Sequence, residues 1–154
     1  MGMIRSVLVV CVGNVCRSPV AERKLRARLD ETLISVSSAG LGALEGKGAD
    51  DCTTQIAAQH GLSLEGHVAR QFTPALGRKN DLILVMETVH KNAIAWQAPE
   101  LSGRCLLFDQ WTGARGIADP YRKSLEFHEN VFQAISAAGD AWSDWLLKNV
   151  LDRR

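Results

Sequence analysis

Four short runs of mainly apolar residues stand out in the hydrophobic pattern of the chain. They extend from Ile4 to Val10, from Ile34 to Ser37, from Leu82 to Met86 and from Arg104 to Phe108. The first and third runs are almost continuous, which is typical of strands that are covered on both faces. The pattern therefore predicts four strands, at least two of them buried.

Signals for helices lie between and after these runs. Ser18-Pro19 predicts a helix start, because serine can cap a helix and proline can take its first position. Either aspartate at positions 50 and 51 can cap a second helix, and Thr88 can cap a third. A long final helix, with one face in the core, is predicted from apolar residues that recur at intervals of four and three: Val131, Ile135, Ala138, Trp142 and Trp145.

Strands that alternate with helices predict an α/β fold with a parallel sheet. Right-handed crossovers would place helices on both faces of that sheet. The 154 residues contain neither an internal repeat nor a low-complexity tract. Because a chain of this length fits one hydrophobic core, we predict a single domain over residues 1–154.

The composition narrows the classes of function. Apolar residues make up 46% and charged residues 23%, as in an ordinary folded domain. Eighteen Lys and Arg balance seventeen Asp and Glu, so we expect neither nucleic-acid binding nor attraction to an anionic membrane. The first apolar run is too short to cross a bilayer and lacks the basic flank of a signal peptide. We therefore expect no membrane insertion and a cytoplasmic location.

The cysteines give no sign of a metal site or of a disulfide framework. They are Cys11, Cys16, Cys52 and Cys105, without CxxC spacing and without a nearby His-x-His pattern. We expect reduced thiols and no bound metal.

The segment CVGNVCRS, residues 11–18, joins the first strand to the first helix. Its backbone amides are expected to bind an oxyanion together, in the field of the helix dipole. Gly13 and Asn14 tolerate the left-handed backbone that such a loop requires. The spacing fits neither of the common nucleotide-binding loops, GxxxxGK[ST] and GxGxxG. The residues predicted to bind phosphate are Val12, Gly13, Asn14, Val15, Cys16, Arg17 and Ser18.

Cys11 and Arg17 bracket five residues and suggest phosphoryl transfer through a cysteine. The field that binds an oxyanion also favours the thiolate form of Cys11, which is the nucleophilic form. Arg17 can hold two phosphoryl oxygens with its planar guanidinium group. Ser18 can donate a hydrogen bond to the thiolate. We therefore predict Cys11 and Arg17 to be catalytic residues.

Asp119 is the candidate proton donor. Displacement from phosphotyrosine expels a phenolate whose conjugate acid has a pKa of about 10, so a donor at the leaving oxygen is valuable. Pro120 fixes the backbone after Asp119, and Tyr121 can stack beside an aromatic substrate. The same carboxylate could then deprotonate the water that hydrolyses a cysteinyl-phosphate.

Several motifs, in their order along the chain, resemble the low-molecular-weight protein tyrosine phosphatases. They are CVGNVCRSP (11–19), AE (21–22), SAG (38–40), HVARQ (67–71) and DPYR (119–122). The resemblance covers about residues 4 to 150. It implies the flavodoxin-like phosphotyrosine phosphatase I fold, a three-layer structure with strand order 2-1-3-4. It also implies the roles that the residues suggest: Cys11 as nucleophile, Arg17 as phosphate clamp, Ser18 as hydrogen-bond donor and Asp119 as general acid.

The resemblance also implies supporting roles around the loop. Asn14, Ser38 and His67 match positions that hold the phosphate loop in shape, with His67 as a structural residue rather than an acid or base. Cys16 matches a position that can form a reversible disulfide with the nucleophile. No cofactor is implied.

Two further positions resemble the bacterial branch of the family. Leu44 lies where an aromatic residue often forms a wall of the substrate cleft, and Arg122 follows Tyr121 where the eukaryotic branch has a second tyrosine. The bacterial branch works opposite autophosphorylating tyrosine kinases of capsule and exopolysaccharide export. The implied partner is therefore a phosphotyrosyl protein, a tyrosine autokinase, and we expect a monomer or a weak dimer.

Two alternatives remain open. An arsenate reductase of the same fold shares the CX5R loop, but the thioredoxin-coupled type needs two further cysteines near the third strand, and residues 80–104 contain none. A non-catalytic phosphotyrosine-binding module could dispense with Cys11 or Asp119, yet both are present.

Overall fold

A computed structural model describes residues 3–150 of the chain, in which each of four strands is followed by one or two α-helices. The strands are β1 (Ser6–Cys11), β2 (Ser35–Gly40), β3 (Leu82–Val85) and β4 (Cys105–Leu107). The helices are α1 (Arg17–Arg28), α2 (Asp51–Gln59), α3 (Pro74–Arg78), α4 (Thr88–Gln97) and α5 (Leu125–Asn149). A 3-10 helix, Pro99–Arg104, precedes β4.

The sheet is parallel throughout, and its strand order is β2-β1-β3-β4. The predicted fold class and strand order are therefore confirmed. In the register of the sheet, Cys11 lies opposite Gly40, and Val10 lies opposite Val85. The carboxyl ends of β1, β2 and β3 consequently meet at one edge, which is where open α/β sheets bind ligands.

Both faces of the sheet are covered, as the continuous apolar runs predict. Val7 and Val9 of β1 belong to a core cluster with residues of α1, α2 and α5. Leu8 and Val10 point to the opposite face and join a second cluster with residues of α4 and the 3-10 helix. All four side chains are fully buried. This central position of β1 holds the segment that follows it in a fixed place.

Three local expectations are corrected. Ser18 does not cap α1, which begins at Arg17, because its hydroxyl is bonded to Cys11 and Asn14 instead. Helix α4 is capped by Glu87, one residue before the predicted Thr88. β2 runs to Gly40, three residues beyond the predicted end, since its pairing with β1 continues to the last residue of that strand. Two short elements without clear periodicity, α3 and the 3-10 helix, were not predicted.

The extent of the domain stays a prediction at both ends. Residues 1–2 and 151–154 lie outside the described part of the chain. Within residues 3–150 the strands form one sheet, and no helix in that range has the length and apolar character needed to cross a bilayer.

Candidate active site

The loop between β1 and α1 turns its carbonyl groups outwards. Five successive carbonyls accept hydrogen bonds from the surrounding chain at 2.6–3.0 Å. The carbonyls belong to Cys11, Val12, Gly13, Asn14 and Val15, and the donors are the amides of Leu41, Gly42, Leu44 and Asp50 with the ring of His67. In a trans peptide the N–H points away from the C=O, so the amides of the loop are directed inwards. Inward amides of this kind are the geometry that an anion-binding loop requires.

Asn14 occupies the tightest point of the loop. Its backbone is left-handed, with φ of 57°, and the residue is fully buried. Its side-chain Nδ2 donates to Ser18 Oγ at 2.7 Å and to Ser38 Oγ at 3.0 Å, while its Oδ1 accepts from the Arg70 amide at 2.9 Å. Both ends of the amide are thus used to hold a backbone conformation that L-residues rarely adopt.

His67 supports the same residue from outside. Its Nε2 lies 2.6 Å from the Asn14 carbonyl oxygen. Because a carbonyl can only accept, Nε2 carries the proton and donates it. This contact places His67 behind the loop, next to the backbone of Asn14.

Cys11 ends β1 and lies at the floor of the loop. Its Sγ is 2.9 Å from Ser18 Oγ. Since Ser18 Oγ accepts from Asn14 Nδ2, its own hydrogen is available to the sulfur, and a thiolate at Cys11 could only accept it. The serine hydroxyl is therefore positioned to stabilise negative charge on Cys11.

Arg17 lies in the first turn of α1 with a side chain that is 1% exposed. Its Nη1 donates to Glu87 Oε2 at 2.6 Å and to the Ile117 carbonyl at 2.7 Å, and its Nη2 lies 3.8 Å from Asp119 Oδ2. Its buried Nε has no hydrogen-bond partner among residues 3–150. A buried donor without a partner costs about 1–3 kcal/mol, so an oxyanion bound there would be stabilised strongly.

The Asp119 loop reaches the phosphate loop. Asp119 is 46% exposed at the side chain, and its Oδ1 accepts from the Tyr121 amide at 3.0 Å. Cys11, Arg17, Asp119 and Tyr121 line one cavity of about 130 Å³. The structure thus brings Asp119 and Tyr121 next to Cys11 and Arg17, which precede them in the sequence by more than one hundred positions.

Apolar side chains form the mouth of this cavity. Val12 and Leu44 are 41% and 39% exposed. Both line the cavity together with Tyr121. Leu44 is placed by the hydrogen bond from its amide to the Gly13 carbonyl. A larger open groove of about 540 Å³ is lined in part by His67, but Cys11, Arg17 and Asp119 do not line it.

The sequence analysis did not predict all the residues that support the site. Glu87 fixes Arg17, and Gln71 bonds the amide of Ala43 and the carbonyl of Leu41 in the neighbouring loop. Glu87 follows the buried strand β3 almost directly, at the sheet edge where β1 also ends. An acidic residue at that position is a signal that sequence reasoning could have used.

Burial affects two titratable groups close to the loop. Burial raises the pKa of the Cys16 thiol to about 12, so this thiol is protonated at neutral pH. Burial and the nearby Arg17 cation lower the pKa of His90, whose Nδ1 accepts the Glu87 amide hydrogen. All four cysteines are free thiols, and a disulfide between Cys11 and Cys16 stays a prediction.

Comparison with known proteins agrees with this geometry. Residues 6–152 match the family described as Low molecular weight phosphotyrosine protein phosphatase. The chain belongs to this family. One relative, the low molecular weight protein-tyrosine-phosphatase Wzb of Salmonella typhimurium, is 49% identical over 144 residues, which cover 94% of this chain and 95% of Wzb.

Solved structures of other phosphatases share the fold. The tyrosine phosphatase Wzb from Escherichia coli K30, crystallised in complex with sulphate, has a TM-score of 0.90 and 43% identity, covering 94% of this chain and 99% of that one. YwlE arginine phosphatase from Geobacillus stearothermophilus has a TM-score of 0.89 at 27% identity, covering 97% of each chain. Family membership confirms the predicted enzyme class of this phosphatase, protein tyrosine phosphatase, whose reaction is phosphotyrosine hydrolysis.

Proposed function

We propose that Cys11, Arg17 and Asp119 carry out phosphotyrosine hydrolysis in two steps. In the first step the Cys11 thiolate attacks phosphorus, the bond from phosphorus to the tyrosyl oxygen breaks, and Asp119 gives its proton to that oxygen. In the second step water attacks the cysteinyl-phosphate and gives a proton to the Asp119 carboxylate, and the thiolate leaves. The convergence of the three side chains on one cavity carries this proposal.

The phosphate loop and Arg17 hold the phosphoryl group during both steps. Inward amides and the guanidinium group match the charge that is spread over its equatorial oxygens. The buried Nε of Arg17, which lacks a partner within residues 3–150, is available for one of them. Ser18 donates to the Cys11 sulfur both when it attacks and when it leaves. This chemistry requires no metal and no cofactor.

The apolar mouth favours an aromatic substrate. Val12, Leu44 and Tyr121 can contact the phenyl ring of phosphotyrosine while the phosphoryl group reaches Cys11. A phosphoserine side chain is shorter and offers no ring to these walls. We therefore assign phosphotyrosyl proteins as the substrates.

The partner we propose is an autophosphorylating tyrosine kinase that regulates capsule or exopolysaccharide production. Relatives at 48–49% identity bear the name Wzb, and the exposed mouth at Leu44 suits a flexible phosphorylated tail. The phosphatase would act in the cytoplasm as a monomer or weak dimer. A purified kinase of this class, phosphorylated on its own tyrosines, should lose phosphate to the wild-type chain.

The reaction is tested by phosphate release in the presence of a metal chelator. The substrates are peptides with phosphotyrosine, phosphoserine or phosphoarginine, the last because an arginine phosphatase shares the fold. Wild type is compared with Cys11→Ser, and Cys52→Ser serves as the matched control, since Cys52 is a half-buried thiol that does not line the cavity. We expect release from phosphotyrosine alone, lost in Cys11→Ser and kept in Cys52→Ser.

Other outcomes point to other functions. Binding of the phosphotyrosyl peptide without release would indicate a binding module. Arsenate-dependent oxidation of thioredoxin would indicate an arsenate reductase, and release from phosphoarginine alone would change the substrate class. Full activity of Cys11→Ser would place the nucleophile elsewhere.

A further inference from the structure

A second cluster of reactive side chains lies where the start of α2 meets α5. Asp50, Cys52 and His128 offer a carboxylate oxygen, a sulfur and an imidazole nitrogen, all within 4.8 Å of one another. His128 is buried, whereas Asp50 and Cys52 are partly exposed. The cluster is therefore open to solvent on one side and closed on the other. The proposed catalytic steps do not involve any of the three.

The hydrogen bonds of Thr53 indicate which ring nitrogen of a neutral His128 carries the hydrogen. The Thr53 hydroxyl lies 3.3 Å from Asp50 Oδ2 and 3.2 Å from His128 Nδ1. A carboxylate can only accept, so the hydroxyl donates to Asp50 and in turn accepts from the N–H at Nδ1. In this arrangement the other ring nitrogen, Nε2, carries a lone pair.

That lone pair is unused in the protein. His128 Nε2 is buried and has no hydrogen-bond partner among the residues that the structure describes. Its side chain is 2% exposed, and Nε2 lies 3.9 Å from Asp50 Oδ2, which is too long for a hydrogen bond. Buried polar atoms normally have a hydrogen-bond partner or a bound ion. We therefore expect this nitrogen to bind a group that accepts its lone pair.

We propose that Asp50, Cys52 and His128 bind one zinc ion, with water as the fourth ligand. Oxygen, sulfur and neutral imidazole nitrogen together suit zinc, whereas calcium and magnesium require oxygen ligands. Tetrahedral zinc holds nitrogen and oxygen ligands about 3.3 Å apart, so His128 and Asp50 need only a small approach. The Cys52 thiol releases its proton to solvent as the zinc–sulfur bond forms.

The site also contacts the back of the phosphate loop. The Asp50 amide donates to the Val15 carbonyl at 2.9 Å, and the amide and hydroxyl of Thr53 both donate to Asp50 Oδ2. A zinc ion would join α2 to α5 directly behind Val15. It would stabilise the folded state without entering the substrate cavity.

Zinc binding is best measured in the Cys11→Ser variant, because the nucleophile could itself bind zinc. Competition with a chromophoric chelator gives stoichiometry and affinity. We expect one zinc ion per chain, with affinity reduced at least about tenfold by a further Cys52→Ser substitution. The matched control is Asp51→Asn, an exposed acidic residue one position away, which should leave the affinity unchanged.

Cobalt provides a direct readout of the ligands. The Cys11→Ser variant should show a thiolate-to-cobalt charge-transfer band that is lost with Cys52→Ser. A second variant, His128→Gln, should weaken zinc binding even if Cys52→Ser folds poorly. Failure of the Cys11→Ser variant to bind zinc, or equal affinity in Cys52→Ser, would overturn the proposal. Because Cys11→Ser lacks the proposed nucleophile, this result is independent of the phosphatase reaction.

Discussion

Asn14 illustrates how one side chain can hold a functional loop in place. Its amide bonds two serines and one backbone amide, and its carbonyl accepts from His67. Asn is among the residue types that tolerate a left-handed backbone, so the sequence predicts this position. The partners of the amide come from distant segments, and only the fold shows which atoms they offer.

Asp119→Ala tests the proton donor. A phenolate leaves poorly without a proton, whereas an activated leaving group needs none. We expect a loss of about 10²–10⁴ in kcat for phosphotyrosyl peptide and a much smaller loss for an ester with an activated leaving group. Steady-state kinetics on both substrates measures the difference. Equal losses would remove Asp119 from the acid role.

His90→Gln tests the coupling between pH and stability. Burial and Arg17 lower the pKa of His90 from its ordinary value of 6.5, while Glu87 and Asp119 oppose this shift. The unfolded state therefore binds a proton more readily, and the free energy of unfolding falls as the pH drops below about 6.5. Glutamine keeps an acceptor for the Glu87 amide and does not titrate.

The comparison with wild type isolates the contribution of His90. Between pH 7 and 5, we expect the free energy of unfolding to decline less steeply in His90→Gln than in wild type. The difference in slope is at most about 1.4 kcal/mol per pH unit. Urea unfolding at several pH values measures it. A steeper decline in the variant would contradict the assignment.

At the scale of elements, the end of β2 approaches the phosphate loop very closely at Gly40. A Cβ on Gly40 would lie 2.2 Å from the Val12 carbonyl oxygen and 3.0 Å from the Asn14 amide nitrogen. Both atoms belong to the backbone and cannot move aside without distorting the loop. This contact gives a physical reason for the glycine in the SAG motif.

Gly40→Ala should therefore impair the site through packing alone. We expect a loss of about tenfold or more in kcat/KM, since small displacements of positioning groups can cost about 10²-fold. Gly103→Ala is the matched control, because a Cβ there meets no atom within 4 Å. Activity and thermal unfolding are measured for both variants. An unchanged kcat/KM in Gly40→Ala would show that the phosphate loop can move to accommodate the Cβ without loss of activity.

The sequence predicts these elements well where a periodic pattern marks them. The strands, α2 and α5 follow from apolar runs and from capping residues such as Asp50, which accepts from the Thr53 amide. The prediction that Ser18 caps α1 was wrong. A serine before a proline can cap a helix, but its hydroxyl can equally form a hydrogen bond with a thiol, as that of Ser18 does with Cys11. Which role it takes depends on Asn14 and Cys11, and their positions follow from tertiary structure.

At the scale of the whole molecule, Trp142 joins α5 to the sheet. It is fully buried, packs against Trp111 and Trp145, and its Nε1 donates to the Leu107 carbonyl of β4 at 3.3 Å. The spacing of apolar residues predicts that Trp142 is in the core. The hydrogen bond to β4 could not be predicted, because it depends on how α5 crosses the sheet.

Trp142→Ala should lower the free energy of unfolding by about 3–5 kcal/mol, the usual cost of deleting a large buried side chain. Trp96→Ala is the matched control, since that side chain is 90% exposed, and its effect should stay within about 0.5 kcal/mol. Chemical denaturation measures both changes. A similar loss in the two variants would contradict the assigned core.

The burial of Arg17 has a consequence for how a substrate is encountered. The guanidinium group is 1% exposed and lies beside the carboxylates of Glu87 and Asp119, in a chain of net charge +1. Little positive potential can extend beyond the cavity, so a phosphorylated peptide approaches by diffusion without long-range steering. The association rate constant of a phosphorylated peptide with the Cys11→Ser variant should be about 10⁵–10⁶ M⁻¹s⁻¹ and should change little with ionic strength. Collisions become productive only when the phosphoryl group enters the mouth in the right orientation.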